Sequence, residues 1–130
     1  MERIRFITHQ GQRILLIDCS ECSAEEVAAL ADQVPAFLDN ELPKSALLLA
    51  DFSHSQITRE AMERVKIAAV HNSQHLKRSA WVITGNMAKT LHRSVQTFST
   101  REIPTFYSRD EALKYLLAEE QPKQIAGTGT

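Results

Sequence analysis

Hydrophobic and polar residues alternate at the start of the chain and then give way to uninterrupted apolar runs. Residues 3–9 place Ile4, Phe6 and Thr8 on one face, which is the pattern of a half-buried strand. Residues 13–18, RILLID, are apolar on both faces, as strands are in the interior of a sheet. The short polar segment QGQ lies between the two, so together they predict an antiparallel hairpin.

Helical spacing of apolar residues follows the hairpin in two segments. Ser23 and Glu26 have the spacing of a capping box, S-x-x-E, at the start of the first helix. Pro35 lacks an N–H and clashes with the preceding turn, so we expect it to kink this helix or to end its first part. The second helix is predicted over residues 58–76, with Thr58 as its N-cap.

Three more segments are short and apolar, and they predict buried strands. They are residues 45–52, 79–84 and 103–108. A third helix is predicted to start at Gly85 and Asn86, and a fourth opens with a second capping box from Ser108 to Glu111.

The order of elements is therefore one strand followed by four strand–helix units. Such alternation predicts an α/β fold with a mostly parallel central sheet, an antiparallel N-terminal strand and four helices. We expect a single domain over residues 1–120, because a chain of 130 residues buries one core. Residues 121–130 are polar and contain glycine, which predicts a disordered tail.

Charge is distributed unevenly along the chain, although the net charge is only −1. Residues 18–51 contain eight acids and one lysine, whereas residues 59–101 contain eight bases and two acids. Two solvated helix faces of opposite sign would explain this contrast. An acidic side and a basic side, suited to a charged partner or to a homodimer, is the alternative; solvated faces are favoured, because segments of a sequence need not become separate surface patches. A pI near 6.5, with no basic run between aromatic residues, argues against nucleic acid as the partner.

No segment has the length or composition of a membrane anchor. The longest apolar runs, ILLI and ALLLA, are much shorter than a membrane span. The N-terminus has no apolar stretch long enough for a secretory signal. We therefore expect a cytoplasmic protein without a membrane span, whose thiols are reduced.

Cys19 and Cys22 are spaced C-x-x-C just before the first helix. A helix N-terminus lowers the pKa of a nearby thiol, so thiol–disulfide redox chemistry at this pair is the alternative function. The acids Asp18 and Glu21 oppose a thiolate there by like-charge repulsion. A small buried cysteine at the strand end and a second one in the turn is the prediction.

Other catalytic or metal-binding patterns are weak. His71 and His75 lie four residues apart, so one helix face could present both to a metal ion. No third ligand and no glutamate of an H-E-x-x-H motif accompany them, which indicates a solvated face. No glycine-rich phosphate loop and no nucleophile elbow occur, so we expect no catalytic residue, cofactor or metal.

The loop at residues 51–58, which follows the strand predicted over residues 45–52, is the main candidate site. It connects the end of a parallel strand to a helix N-terminus, where α/β folds bind ligands and anions are favoured. The loop after the next strand leaves the same end of the sheet and should be its neighbour. The candidate side chains in the two loops are Asp51, Ser53, His54, Ser55, Thr58, Thr84 and Asn86. Local capping of the turn is the alternative role for the hydroxyls.

The stretches LLLADFS, KRSAWVIT and FYSRDEALKYLL, in this order of elements, resemble a STAS-type domain. That fold occurs in anti-sigma-factor antagonists and in the cytoplasmic part of sulphate transporters. More narrowly, residues 1–118 resemble the stand-alone bacterial STAS/SEC14-like proteins. The resemblance implies a non-enzymatic regulatory or interaction module, which binds a protein partner or a small anionic or apolar ligand.

The chain departs from the antagonists at one position. They carry a pattern like D-L-S-x-V-x-F-x-D-S-S-G, whose first serine in the S-S pair is phosphorylated. When Asp51, Phe52 and Ser53 are aligned with D-L-S, residues 59–62 (REAM) stand where D-S-S-G belongs. The resemblance therefore implies an antagonist-like module without the phosphoacceptor serine.

Overall fold

The computed structural model of the protein describes residues 2–84 and 104–118. Five strands and three α-helices lie in these ranges. In chain order they are β1 (Ile4–His9), β2 (Gln12–Asp18), α1 (Ala24–Leu38), β3 (Ala46–Asp51), α2 (Arg59–Asn72), a 3₁₀ turn (Ser73–His75), β4 (Leu76–Val82), β5 (Thr105–Phe106) and α3 (Arg109–Leu117).

The strands form one mixed sheet in the order β1-β2-β3-β4-β5. β1 pairs with β2 in antiparallel fashion, while the β2–β3, β3–β4 and β4–β5 pairs are parallel. The predicted hairpin and the mostly parallel sheet are confirmed. Asp18 and Asp51 are register partners at the ends of β2 and β3, so two carboxylates meet at one edge of the sheet.

Each face of the sheet buries its own apolar layer, because successive residues of a strand point to opposite sides. Leu15, Leu48 and Trp81 belong to the layer that packs against α1 and α2. Leu16 and Leu49 belong to the layer that packs against α3. Coverage on both faces explains why the inner strands are apolar without alternation.

Side-chain caps begin the helices where the sequence predicts them. The Glu26 N–H donates to Ser23 Oγ at 3.2 Å, and Glu26 Oε1 accepts from the Ser23 N–H at 2.8 Å, so the first capping box is complete. In the second, the Glu111 N–H donates to Ser108 Oγ at 3.2 Å, and the two side chains contact each other at 3.5 Å. Thr58 caps α2 through its hydroxyl oxygen.

One predicted helix boundary is wrong. α2 ends at Asn72 and is followed by a 3₁₀ turn, so Leu76 opens β4 and does not close the helix. Leu76 belongs to the core as the first residue of β4. The spacing of apolar residues alone could not distinguish this strand position from a position on the helix. Of the two outcomes expected at Pro35, an end of the helix does not occur, since α1 continues to Leu38, and a kink stays a prediction.

The remaining predictions concern the C-terminal part. The prediction of a buried strand over residues 103–108 is wrong in extent and burial: β5 covers residues 105–106, which are only half-buried because β5 is the last strand of the sheet. It pairs in parallel with β4 and leads directly into α3, as expected for a strand–helix unit. The helix predicted after Gly85 and Asn86, and the tail at residues 121–130, lie outside the described residues. Within the described ranges, no helix has the length and apolar character needed to cross a membrane.

Candidate functional site

Two loops lie side by side at the C-terminal ends of β2 and β3. We call this surface, formed by residues 18–23 and 51–58, the loop edge. The Glu21 N–H donates to the Ser53 carbonyl at 2.8 Å, and the Gln56 N–H donates to the Cys22 carbonyl at 2.9 Å. These bonds continue the pairing of the sheet into the loops, so the two loops form one unit.

Each loop begins with the same turn, an aspartate followed two residues later by a serine. In the first, Asp18 Oδ1 accepts from the Ser20 N–H at 3.1 Å and from Ser20 Oγ at 2.5 Å. In the second, Asp51 Oδ1 accepts from the Ser53 N–H at 2.9 Å and from Ser53 Oγ at 2.5 Å. Such turns give a hydrogen-bond acceptor to backbone N–H groups just beyond the strand ends, which is a structural role.

Arg109, at the start of α3, joins the two aspartates. Its Nε donates to Asp51 Oδ2 at 2.6 Å, and its Nη2 lies 3.2 Å from Asp18 Oδ1. Arg3 approaches from the other side, with Nη1 3.7 Å from Asp18 Oδ1 and bonded to the Asp18 and Ser20 carbonyls. The cluster thereby ties β1, β2, β3 and α3 together.

The protonation of this cluster follows from its contacts. Burial by itself would raise the pKa of the Asp18 carboxyl. The hydrogen bonds from Ser20 lower that pKa, and the charges of Arg109 and Arg3 lower it further. The net pKa of Asp18 is below its ordinary value, so this carboxyl remains ionised at neutral pH and holds the arginines.

The tips of the two loops adopt a conformation that favours glycine. Glu21 and His54 both have φ of 56°, in the left-handed region, and both side chains are exposed. The His54 N–H donates to Thr84 Oγ1 at 2.9 Å, and this bond helps to fix the second tip. Residues with side chains persist in this region only where the surrounding contacts impose it.

The predicted hydroxyls have partners inside the loop edge. Ser55 Oγ donates to the Phe52 carbonyl at 2.8 Å, and Thr58 Oγ1 accepts from the Ala61 N–H at 3.1 Å. These are the contacts that local capping requires. Ligand binding by these side chains stays a prediction, and Asn86 lies outside the described residues.

The cysteine pair occupies the turn between β2 and α1. The Cys22 N–H faces the Cys19 carbonyl at 3.3 Å, and both cysteines are free and fully buried. Burial is the main cause that raises the pKa of each thiol, and the charge of Asp18 raises both further. Raised pKa values keep the thiols protonated, which is the reverse of what a nucleophilic redox cysteine needs.

The two histidines considered as metal ligands point to different partners. His71 Nε2 lies 3.9 Å from Asp39 Oδ1, and His75 Nδ1 lies 3.0 Å from the Glu41 carbonyl. Among the residues that the structure describes, no group of three or more metal-binding side chains occurs.

Sequence reasoning missed several residues of the loop edge. The repeated aspartate–x–serine at the ends of two buried strands was a usable signal for Asp18 and Ser20. Nothing near Arg109 in the sequence indicated that it would meet both aspartates, since 58 residues separate it from Asp51. Glu21 also carried no local signal, because its conformation is set by bonds to the neighbouring loop.

Comparison with solved structures identifies the architecture. An uncharacterized protein of the DUF3478 family with a SpoIIAA-like fold, from Shewanella loihica, superposes with a TM-score of 0.63. The match covers 87% of this chain and 91% of that one. The fold is SpoIIAA-like. This confirms the resemblance to STAS domains, and at 16% identity the likeness concerns the SpoIIAA-like fold alone. No protein-family model and no curated protein matches the chain.

Proposed function

We propose that this protein is a non-enzymatic regulatory module that binds a protein partner through the loop edge. The observation that carries the proposal is the pair of exposed residues, Glu21 and His54, at loop tips that hydrogen bonds hold in the left-handed region. Gln10 and Lys44 share this conformation in turns that precede β2 and β3. Glu21 and His54 differ from them because their two loops are hydrogen-bonded side by side and present both side chains on one surface, and strain at such a surface is typical of binding sites. The SpoIIAA-like fold supports the regulatory class, because the resemblance to anti-sigma-factor antagonists rests on the same architecture.

The loop edge is prepared for binding before a partner arrives. Its backbone is fixed by the bonds between the two loops, so association would order little besides exposed side chains. Binding to a preformed surface loses less conformational entropy than binding to a mobile loop. A rigid surface of this type suits recognition of a folded partner.

A protein partner is favoured over a small anion at this surface. An anion needs free donors, and the hydroxyls of Ser53 and Ser55 already donate within the loops. Glu60 lies in the first turn of α2 and opposes an anion at that helix N-terminus. A second copy of the chain is a partner of the same chemical kind, and sedimentation of the purified protein separates a homodimer from a complex with a different protein.

The module would act without the phosphorylation switch of the antagonists. In the alignment given above, Glu60 stands at the position of the phosphorylated serine, in the first turn of α2. We therefore propose binding that does not depend on a kinase, in the cytoplasm, where free Cys19 and Cys22 would stay reduced.

Site-specific crosslinking tests the proposal. A photo-crosslinking amino acid in place of His54 or of Glu21 should yield the same discrete adduct in cells, while one in place of Gln33, exposed on α1, should not. Excess unlabelled wild-type protein should compete the adduct away.

A matched pair of variants then measures the contribution of the side chain. His54→Gly keeps the left-handed backbone without strain, and its affinity for the captured partner should fall by roughly tenfold if His54 is an anchor. Lys44→Gly relieves the same strain at a loop on the other end of the sheet, where φ is 57°, and should leave the affinity unchanged. Equal adducts at His54 and Gln33, or unaltered affinity in His54→Gly, would show that the loop edge is not the binding surface.

A further inference from the structure

A narrow cavity of about 50 Å³ lies between the sheet and the helices α1 and α2. Its floor includes Leu48, Ala50 and Trp81, and its walls include Val34 of α1 and Ala68 of α2. The lining is almost wholly apolar. The alanines are what leave the space open, since larger side chains at these positions would fill it.

One polar atom inside this lining has no partner. Asn72, the last residue of α2, lines the cavity and is 3% exposed, and its Oδ1 accepts no hydrogen bond. It stands at the N-cap position of the 3₁₀ turn Ser73–His75, yet its side chain makes no capping bond. Buried amide oxygens are nearly always satisfied, so an orphan one on a residue that lines a cavity points to an absent donor.

Water satisfies this site poorly. A buried water typically makes about three hydrogen bonds. Here it could donate one proton to Asn72 Oδ1, while its second proton and its lone pairs would face apolar side chains such as Val65 and Ala69. A molecule with one donor and an otherwise apolar surface matches the lining better.

The size and polarity of the cavity define the class of ligand. A charged molecule is excluded because nothing in the lining would compensate its desolvation. The volume exceeds the roughly 10–15 Å³ that one water needs and is well below the roughly 150 Å³ of an engineered cavity that holds benzene. We propose that this cavity is a binding site for a small neutral molecule of the short-chain alcohol type, whose hydroxyl donates to Asn72 Oδ1.

The site is distinct from the exposed tips of the loop edge, although the buried side chains of Cys19 and Phe52 also line the cavity. The turn that follows Asn72 bonds to the start of β3, with the Lys44 N–H donating to the Gln74 carbonyl at 3.0 Å and the Ser45 N–H to the His75 carbonyl at 3.1 Å. Asn72 therefore lies at the opposite end of the strands from His54. Failure of either proposal leaves the other intact.

Titration of the full-length protein with simple alcohols tests the assignment. Methanol and ethanol should each produce saturable NMR shifts at the methyl groups of Val34, Val65 and Ala68, with dissociation constants of about millimolar order. Dimethyl ether, an isomer of ethanol that has no donor, should bind roughly fivefold more weakly than ethanol, because it leaves Asn72 Oδ1 unpaired.

Two variants separate the hydrogen bond from the space. Asn72→Ala removes the acceptor without filling the space, so it should abolish the preference for ethanol over dimethyl ether while both still bind and the far-ultraviolet circular dichroism stays unchanged. Ala68→Leu fills the cavity and should abolish binding of both. The proposal is overturned if no saturable shift occurs, if Asn72→Ala retains the preference, or if a crystal soaked with ethanol shows only an ordered water at Asn72.

Discussion

Replacing Arg109 by glutamine removes the guanidinium that joins α3 to the ends of β2 and β3. Among the residues that the structure describes, Asp51 would then keep the side-chain bonds from Ser53, both to its Oδ1, and its Oδ2 would lose the 2.6 Å contact with Arg109 Nε. The Asp51 side chain is only 6% exposed, so this carboxylate cannot recover its hydration easily. The change should therefore destabilise the fold.

The expected magnitude lies between two limits. Removing one partner of a fully buried ion pair costs about 3–5 kcal/mol, whereas exposed pairs contribute about 0–1 kcal/mol. The side chain of Arg109 is 39% exposed, and solvent screens part of its charge. Because Ser53 also remains bonded to Asp51, we expect a loss of about 2 kcal/mol in the free energy of unfolding, or about 7 °C in Tm.

Urea unfolding followed by circular dichroism measures this loss as a shift in midpoint at constant m-value. Arg64→Gln is the matched control, since Arg64 pairs with Asp32 between α1 and α2 and the two side chains are 45% and 49% exposed. Arg64→Gln should lower the free energy of unfolding by about 0.5 kcal/mol or less. Salt at about 0.5 M should remove this loss, while most of the loss caused by Arg109→Gln should remain.

A double-mutant cycle checks the assignment to Asp51. Arg109→Gln should cost about 1 kcal/mol less in an Asp51→Asn background, because no buried charge then remains to be compensated. If Arg109→Gln destabilises no more than Arg64→Gln, the reasoning that buried Asp51 depends on Arg109 is wrong.

Three further outcomes follow from the contacts of single side chains. The pKa of Asp18 is lowered below 3.8 in the folded state, so its contribution to stability is lost as the pH falls through the folded pKa. The stability difference between wild type and Asp18→Asn should therefore shrink between about pH 5 and pH 2. A constant difference would contradict the assigned contacts. Cys19 and Cys22 should resist a disulfide exchange reagent at pH 8 in the native protein and react fully in denaturant, because burial raises the pKa of both thiols. Rapid reaction of the thiols in the native protein would restore the redox hypothesis. Thr58→Ala should lower stability by about 1 kcal/mol through loss of the cap to Ala61, whereas Thr58→Ser should change it by a few tenths at most, and equal losses in the two variants would exclude capping as the cause.

The elements of the fold could be predicted because their signals are local. A capping box needs only Ser23 and Glu26, three residues apart, and an unbroken apolar run such as that of β3 identifies a strand covered on both faces. The order of strands and helices then restricts the topology to a mostly parallel sheet. The boundary between α2 and β4 was less predictable, since Leu76 satisfies the apolar pattern of either element.

The charge contrast along the chain shows how a sequence pattern changes meaning in three dimensions. Asp32 belongs to the acidic segment and Arg64 to the basic one, and the structure pairs them across α1 and α2. Part of the contrast is therefore satisfied within the molecule. Asp32 and Arg64 therefore do not belong to separate acidic and basic surfaces.

The candidate sites were decided by tertiary structure. The sequence identified the loop at residues 51–58, but only the packed chain shows that Ser53 and Ser55 donate within it and that Glu21 lies beside it. Asn72 is an ordinary helical residue in the sequence, and only the packing of α2 against the sheet buries its side-chain oxygen without a hydrogen-bond partner. Helix caps and strand patterns depend on neighbours within a few residues, whereas ion pairs, buried orphan groups and cavities depend on which distant segments the fold brings into contact.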